Sequence, residues 1–161
     1  MEQEATHKPE KFLARIQDLF TEIEKWATAK NLLVNRNNIT LNEEAYGMYE
    51  VEAIQLVTST NQKIAEFQPV GASIIGANGR VDLVGTIDSV ILVDWDKGGP
   101  SFETNVTNDT ETAKHNKPLY RDVNESGWYW VESRKLSRAH KLDEQLFNDL
   151  LLAVSDYDCR S

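Results

Sequence analysis

The apolar positions of residues 9–30 recur every three or four residues, a spacing that predicts an amphipathic helix. Pro9 suits the first helical position, where its missing N–H needs no partner. Asn31 can end the helix in the left-handed conformation. The stripe is wide enough to need a large partner, most simply a sheet, and its members are Phe12, Leu13, Ile16, Leu19, Phe20, Ile23, Trp26 and Ala27.

Between Leu32 and Val93 the apolar spacing shortens to about two residues, and turn residues interrupt the chain, which predicts a series of β-strands. Residues 32–34 and 39–41 read as two short strands around "NRNN". Residues 48–57 alternate and then become apolar on both faces, which favours a strand over the competing helix at 43–57. The further predicted strands are 63–70, 73–77, 80–85, 89–95 and 127–133.

The pair Asn78-Gly79 is the strongest short-range hairpin signal in the sequence, because both residues tolerate the positive φ of a two-residue turn. It predicts a hairpin over 73–85 with the turn at these two residues. In that register Ile75 faces Asp82 and Ala77 faces Arg80.

A second amphipathic helix is predicted over 142–157, and two polar segments complete the picture. Residues 1–8 are expected to be a disordered tail, and residues 101–126, which hold few apolar anchors, a long polar loop. The whole chain, 1–161, is then one α+β domain. Two helices pack on a curved, largely antiparallel sheet of about six or seven strands.

Net charge, hydropathy and cysteine content argue against several kinds of function. The chain of 161 residues carries a net charge of -9, which opposes binding to nucleic acid. It has no apolar run of membrane-spanning length, and its polar N-terminal segment does not resemble a signal peptide, so we expect a cytoplasmic protein that does not bind membranes. A single cysteine, Cys159, offers neither an internal disulfide nor a zinc site.

The leading hypothesis is a non-catalytic protein-binding module without a cofactor, of the inhibitor, immunity-type or adaptor kind, that presents an acidic surface to a basic partner protein. Carboxylates would steer the encounter, and aromatic side chains would supply most of the affinity. The oligomeric state is open, and a dimer is one possibility. The nominated residues are Glu50, Glu52, Asp94 and Asp96 for charge, with Trp95, Trp128 and Tyr129 as anchors.

A second hypothesis starts from Asp82 on one predicted strand and Asp94 at the end of the next. The pattern Gly-x-hydrophobic-Asp-hydrophobic, followed by hydrophobic-acid-x-Lys, resembles the core of the PD-(D/E)xK nuclease superfamily over residues 79–97. The resemblance implies a metal-dependent phosphodiester hydrolase in which Asp82 and Asp94 bind Mg²⁺ or Mn²⁺ and Lys97 is catalytic. The family's lysine stands two residues after the acid, where this chain has Asp96.

A third hypothesis places a small molecule in a concavity between the curved sheet and the C-terminal helix. It requires an apolar cavity lined by Trp128 or Trp130. Alternation along "GWYW" puts these two tryptophans on one face of the strand and Tyr129 on the other, and it predicts that at least one of the faces is buried.

Overall fold

The computed structural model describes the backbone of residues 2–107 and 112–158, and the side chains of residues 8–101 and 117–158. None of the helices in this described part has the length and apolarity needed to cross a bilayer. The elements are, in order, α1 (Glu2–Ala29), β1 (Leu33–Glu43), β2 (Gly47–Val57), β3 (Lys63–Gly71), β4 (Gly79–Gly85), β5 (Ser89–Trp95), β6 (Ser101–Thr107), β7 (Thr112–Pro118), β8 (Gly127–Ser133), β9 (Arg138–Lys141) and α2 (Glu144–Ser155).

Helix α1 confirms the predicted apolar stripe but begins earlier than the sequence suggests. It starts at Glu2, so Pro9 lies inside the helix, and the prediction of a disordered tail at 1–8 is wrong for residues 2–8. A proline inside a helix leaves one backbone hydrogen bond unmade. Asn31 does end the helix, with a positive φ of 63°.

The main sheet has seven strands in the order β1-β2-β3-β4-β5-β8-β9, and all neighbours are antiparallel. The fold is therefore α+β, with both helices packed on an antiparallel sheet. Strand β2 confirms the strand interpretation of residues 48–57. Residues 33–43 form one continuous strand, so the prediction of two short strands separated by "NRNN" is wrong, because β2 pairs with every one of these residues.

The hairpin between β3 and β4 exists, but its turn does not lie at Asn78-Gly79. The tight turn spans Ile74 to Ala77, whose N–H donates to the Ile74 carbonyl at 3.3 Å, and Gly76 supplies the positive φ of 75°. Asn78 instead donates its N–H to the carbonyl of Asp94 at 2.8 Å. The predicted strand 73–77 and its pairing of Ile75 with Asp82 are therefore wrong.

Gly79 is explained by packing. A Cβ at this position would lie 2.1 Å from Cδ1 of Phe12. The glycine thus lets α1 approach the sheet closely, and the Asn-Gly signal reflects this contact between helix and strand.

The prediction of a long loop over 101–126 is also wrong for most of its length. Strands β6 and β7 pair antiparallel along seven residues each, outside the main sheet. Residues 108–111 of the predicted loop lie outside the described residues, and among the described ones 119–126 connect without a strand. Threonine and asparagine can form a ladder without apolar anchors, because backbone hydrogen bonds supply the pairing.

The sheet is covered on both faces near its centre. Phe67 of β3 packs against Phe20 of α1 and Phe147 of α2, with ring centroids 6.4 and 6.3 Å apart, so the two helices share one face. On the opposite face, Trp95 of β5 packs on Tyr129 of β8 at 5.3 Å, beneath the segment that follows β7.

Candidate functional site

Asp94 lies on the helix-covered face at the end of β5 and is completely buried. Arg15 of α1 binds it with two hydrogen bonds, from Nε to Oδ2 at 2.9 Å and from Nη2 to Oδ1 at 2.8 Å. Burial raises the pKa of Asp94, whereas the hydrogen bonds and charge of Arg15 act to lower it. The carboxylate is thus held between helix and sheet by one arginine and offers no surface charge.

Asp82 lies on the other face of the sheet. Gly79 pairs with Asp94 and Asp82 pairs with Ile91, and a separation of three residues along β4 reverses the side-chain direction. Asp82 forms its own ion pair, with Arg80 at 2.8 and 3.1 Å. The structure does not bring together the two carboxylates on which the nuclease resemblance depends.

Among residues 8–101 and 117–158, no group of three or more histidine, cysteine, aspartate or glutamate side chains could hold a metal ion. Asp96 accepts a hydrogen bond from Asn78 at 3.0 Å and pairs with Lys11 at 3.5 Å. The hydrogen bond from Asn78 is the main reason that its pKa is lowered. Lys97 follows on the exposed turn after β5.

Glu50 and Glu52 lie on β2, which is separated from β4 by β3. Arg36 of β1 donates to Glu52 at 3.0 Å and to Glu24 of α1 at 2.5 Å, so Glu52 forms part of a bridge between sheet and helix. Glu50 is exposed. Of the four carboxylates nominated for an acidic surface, three are engaged within the fold.

The nominated aromatic anchors are buried. Trp95 and Tyr129 belong to the cluster on one face of the sheet, and Trp128 belongs to the core under the helices. Trp128 also donates its indole N–H to the carbonyl of Arg15 at 3.2 Å. Strand β8 is covered on both faces, so all three side chains stabilise the fold, and of the three only Trp128 also lines a surface groove.

A groove beside α1 has Trp128, one of the two tryptophans of the third hypothesis, among its lining residues. It has a volume of about 410 Å³ and is formed by α1, the beginning of β8 and residues 141–143 before α2. We call it the Trp26 groove. Its apolar walls combine two buried side chains with two half-buried ones, and they are Leu19, Trp128, Trp26 and Leu142.

Three carboxylates line the Trp26 groove, from Asp18, Glu22 and Asp143. Asp143 caps α2 by accepting from the Leu146 N–H at 2.8 Å. In the described part of the chain, neither Asp18 nor Glu22 has an ion pair or a side-chain hydrogen bond. The sequence holds one signal for this site, since residues 18, 22 and 26 follow one another at helical spacing.

The two cations of the groove are already neutralised. Arg15 is bound to Asp94, and Lys141 pairs with Glu125 at 2.9 Å. Asp18 and Glu22 are one helical turn apart with no cation between them, an arrangement that costs a helix a few tenths of a kcal/mol, roughly 0.2–0.5. A cation in the groove would remove this repulsion.

A larger, open cleft of about 800 Å³ adjoins the groove, and the two share Lys141 and Asp143. It lies between the turn that joins β8 to β9 and helix α2, and Arg121 and Arg138 line it. His140 stacks on Trp130 with ring centroids 5.6 Å apart. The cleft is mostly polar, and Phe67 and Phe147 stack between the sheet and α2, where the third hypothesis placed an apolar cavity.

The fold and these clefts define an α+β protein with two helices on one face of an antiparallel sheet. A scan of protein-family models, a search of curated proteins and a search of solved structures each give no significant match to the chain.

Proposed function

We propose that the protein is a non-catalytic, cytoplasmic binding module that recognises a basic partner protein through the Trp26 groove. The observation that carries the proposal is the pair of carboxylates, Asp18 and Glu22, which line an apolar groove. Neither has an ion pair or a side-chain hydrogen bond in the described part of the chain, although the charge of Arg15 attracts Asp18. Of the four carboxylates nominated from the sequence, Asp96, Asp94 and Glu52 are engaged by lysine or arginine within the fold.

The groove fits a cationic side chain with an apolar stem. A guanidinium or ammonium placed over the indole of Trp26 would gain about 0.5–1 kcal/mol at a partly exposed site. The carboxylates of Asp18 and Glu22 would pair with the same charge or with a neighbouring one. Arginine suits the site better than lysine, because its planar fork can stack on the indole while it donates to a carboxylate.

The acidic net charge supports the same partner class. A chain with a net charge of -9 attracts basic proteins over distances of about one Debye length, roughly 8 Å at physiological salt. Long-range attraction raises the association rate, and the groove supplies the contact that fixes the position of the partner.

The test is a titration with an arginine-rich peptide, followed by the NMR signal of the Trp26 indole N–H and by calorimetry. The variant Asp18→Asn/Glu22→Gln should weaken binding by about tenfold, which corresponds to about 1.4 kcal/mol. The matched control is Glu44→Gln/Glu50→Gln. It removes the same net charge from exposed positions outside the groove and should change the affinity by less than about twofold.

Equal weakening by the two pairs would show that the peptide responds only to net charge, and the groove would lose its role. If the groove variant binds the peptide more weakly than the control variant does, the native partner is sought by co-purification from the source cell. Wild type, the groove variant and the control variant are run in parallel. A true partner should be retained by wild type and by the control variant, and lost from the groove variant.

A further inference from the structure

The turn between β8 and β9 is basic and lies beside the acidic groove. Arg134, Lys135 and Arg138 are exposed there, in an otherwise acidic protein. None of the three takes part in the ion pairs described above, and three carboxylates, from Asp122, Asp143 and Asp149, line the cleft beside the turn. We call this segment, residues 134–138, the basic turn.

The basic turn also carries an apolar side chain. Leu136 is 57% exposed, and in the sequence it lies between Lys135 and Arg138. An exposed leucine flanked by cations is the complement of the Trp26 groove, which has apolar walls lined by carboxylates. Both features lie on one side of the molecule, because the groove and the cleft beside the turn share two lining residues.

From this juxtaposition we propose that a second copy of the chain docks on this face, with the basic turn of each copy seated in the Trp26 groove of the other. A surface with adjacent complementary patches is self-complementary across a two-fold axis, and such isologous contact is the commonest way in which identical chains associate. The axis passes near the shared lining residues, Lys141 and Asp143.

Net charge opposes the dimer, since each copy carries -9. At physiological salt, charges more than roughly 8 Å apart are largely screened. The contacts between turn and groove are direct, so they keep more of their strength than the long-range repulsion does. The dimer rests on the groove named in the proposed function, and it would compete with a basic partner for that groove.

The test uses two charge-reversal variants and sedimentation equilibrium. Asp18→Lys/Glu22→Lys makes the groove basic, and Arg134→Glu/Arg138→Glu makes the turn acidic. Wild type should dimerise at micromolar concentration. Each variant alone should have a dimer dissociation constant raised by at least about tenfold, because like charges then meet at both contacts. All four positions are exposed, and thermal melting verifies that both variants are folded.

The decisive sample is an equimolar mixture of the two variants. In the mixed dimer, each turn meets a groove of opposite charge, so the mixture should dimerise at least about tenfold more tightly than either component alone. A wild-type chain that stays monomeric up to about 200 μM would overturn the proposal. So would variants that each dimerise alone as tightly as wild type, which would place the contact on another face, or a mixture that dimerises no more tightly than its components.

Binding of a basic partner can be tested independently of dimerisation. The variant Arg134→Glu/Arg138→Glu keeps the native groove, and the acidic turn of a second copy of this variant cannot fill it. Titration of this variant with the arginine-rich peptide therefore tests partner binding without self-association. If the peptide binds but wild type stays monomeric, the dimer is refuted and the proposed function stands. If wild type dimerises but the peptide does not bind the groove of this variant, the proposed function is refuted and the dimer stands.

Discussion

Removing the positive charge from Arg15 should destabilise the protein far more than removing the same charge from Arg80. Each arginine grips an aspartate with two hydrogen bonds of nearly equal length, so the chemistry of the two pairs is matched. Burial differs, because the Asp94 side chain is 0% exposed, whereas those of Arg80 and Asp82 are 34% and 24% exposed. The comparison isolates the effect of burial on an ion pair.

The expected magnitudes follow from the desolvation of the orphaned carboxylate. Breaking a buried ion pair by removing one partner costs about 3–5 kcal/mol. The Arg15 side chain is 27% exposed, so some water can reach Asp94 in its absence. We therefore expect Arg15→Met to lower the free energy of unfolding by about 3 kcal/mol, and Arg80→Met by about 1 kcal/mol or less.

The pH dependence of the free energy of unfolding gives a second test of the Arg15→Met variant. Without Arg15 the folded-state pKa of Asp94 rises further above its ordinary value of 3.8. Between the two pKa values the folded state binds a proton that the unfolded state does not, so the stability of the variant increases as the pH falls through the folded pKa. The gap between wild type and Arg15→Met should be smaller at pH 5 than at pH 8.

The assay is urea unfolding followed by tryptophan fluorescence, at both pH values, with the slope against urea compared between variants. A double variant, Arg15→Met/Asp94→Leu, should recover much of the lost stability, because it replaces the ion pair with an apolar contact. Equal losses for Arg15→Met and Arg80→Met, or no recovery in the double variant, would refute the reasoning.

Two further predictions concern contacts that hold the sheet to its surroundings. In Gly85→Ala the new Cβ would lie 2.1 Å from the Val154 carbonyl oxygen. A backbone atom cannot rotate away, so we expect a loss of about 3 kcal/mol in urea unfolding, against about 1 kcal/mol for Gly47→Ala, which meets only the strain of positive φ. An equal loss would contradict the close approach of α2 to β4. Burial tends to raise the pKa of Glu43, but hydrogen bonds from the Tyr49 hydroxyl and two backbone N–H groups outweigh it and lower the pKa. The advantage of wild type over Glu43→Gln should be complete above the ordinary value of 4.5 and be lost as the pH falls through the lowered folded pKa. Unfolding midpoints across pH 3–7 that keep a constant gap would count against it.

Periodicity predicted both helices, because Phe12 and Phe147 belong to stripes that repeat within a single element. It could not predict the partner of each element. The bond between Arg15 and Asp94 joins residues 79 positions apart, and nothing local to either residue signals the other. The same limit applies to Asp82, whose face follows from the register of β4 against its neighbours.

The Asn78-Gly79 pair gave a wrong prediction of the turn, because a glycine can be required for two different reasons. Turn statistics consider only its backbone conformation and not the space that a side chain would fill. Here the absence of a side chain makes room for Phe12. For the aromatic strand β8, the sequence predicted that one face is buried but not that both are. Alternation requires one covered face, whereas cover on the second face came from residues 119–123, which follow a segment that carried no apolar signal.

Strands β6 and β7 leave the main sheet and return to it at nearly the same place. The N–H of Leu119 donates to the carbonyl of Pro100 at 2.9 Å, and the N–H of Gly98 donates to the carbonyl of Val123 at 2.8 Å. These two hydrogen bonds join the two ends of the β6–β7 segment on the N-terminal side of β8, which pairs with β5. Without residues 101–118 the sheet would be an unbroken meander, each strand following its neighbour in the chain. The segment is an insertion between two neighbouring strands of the main sheet, and we expect its base to tolerate an insertion of another length or sequence.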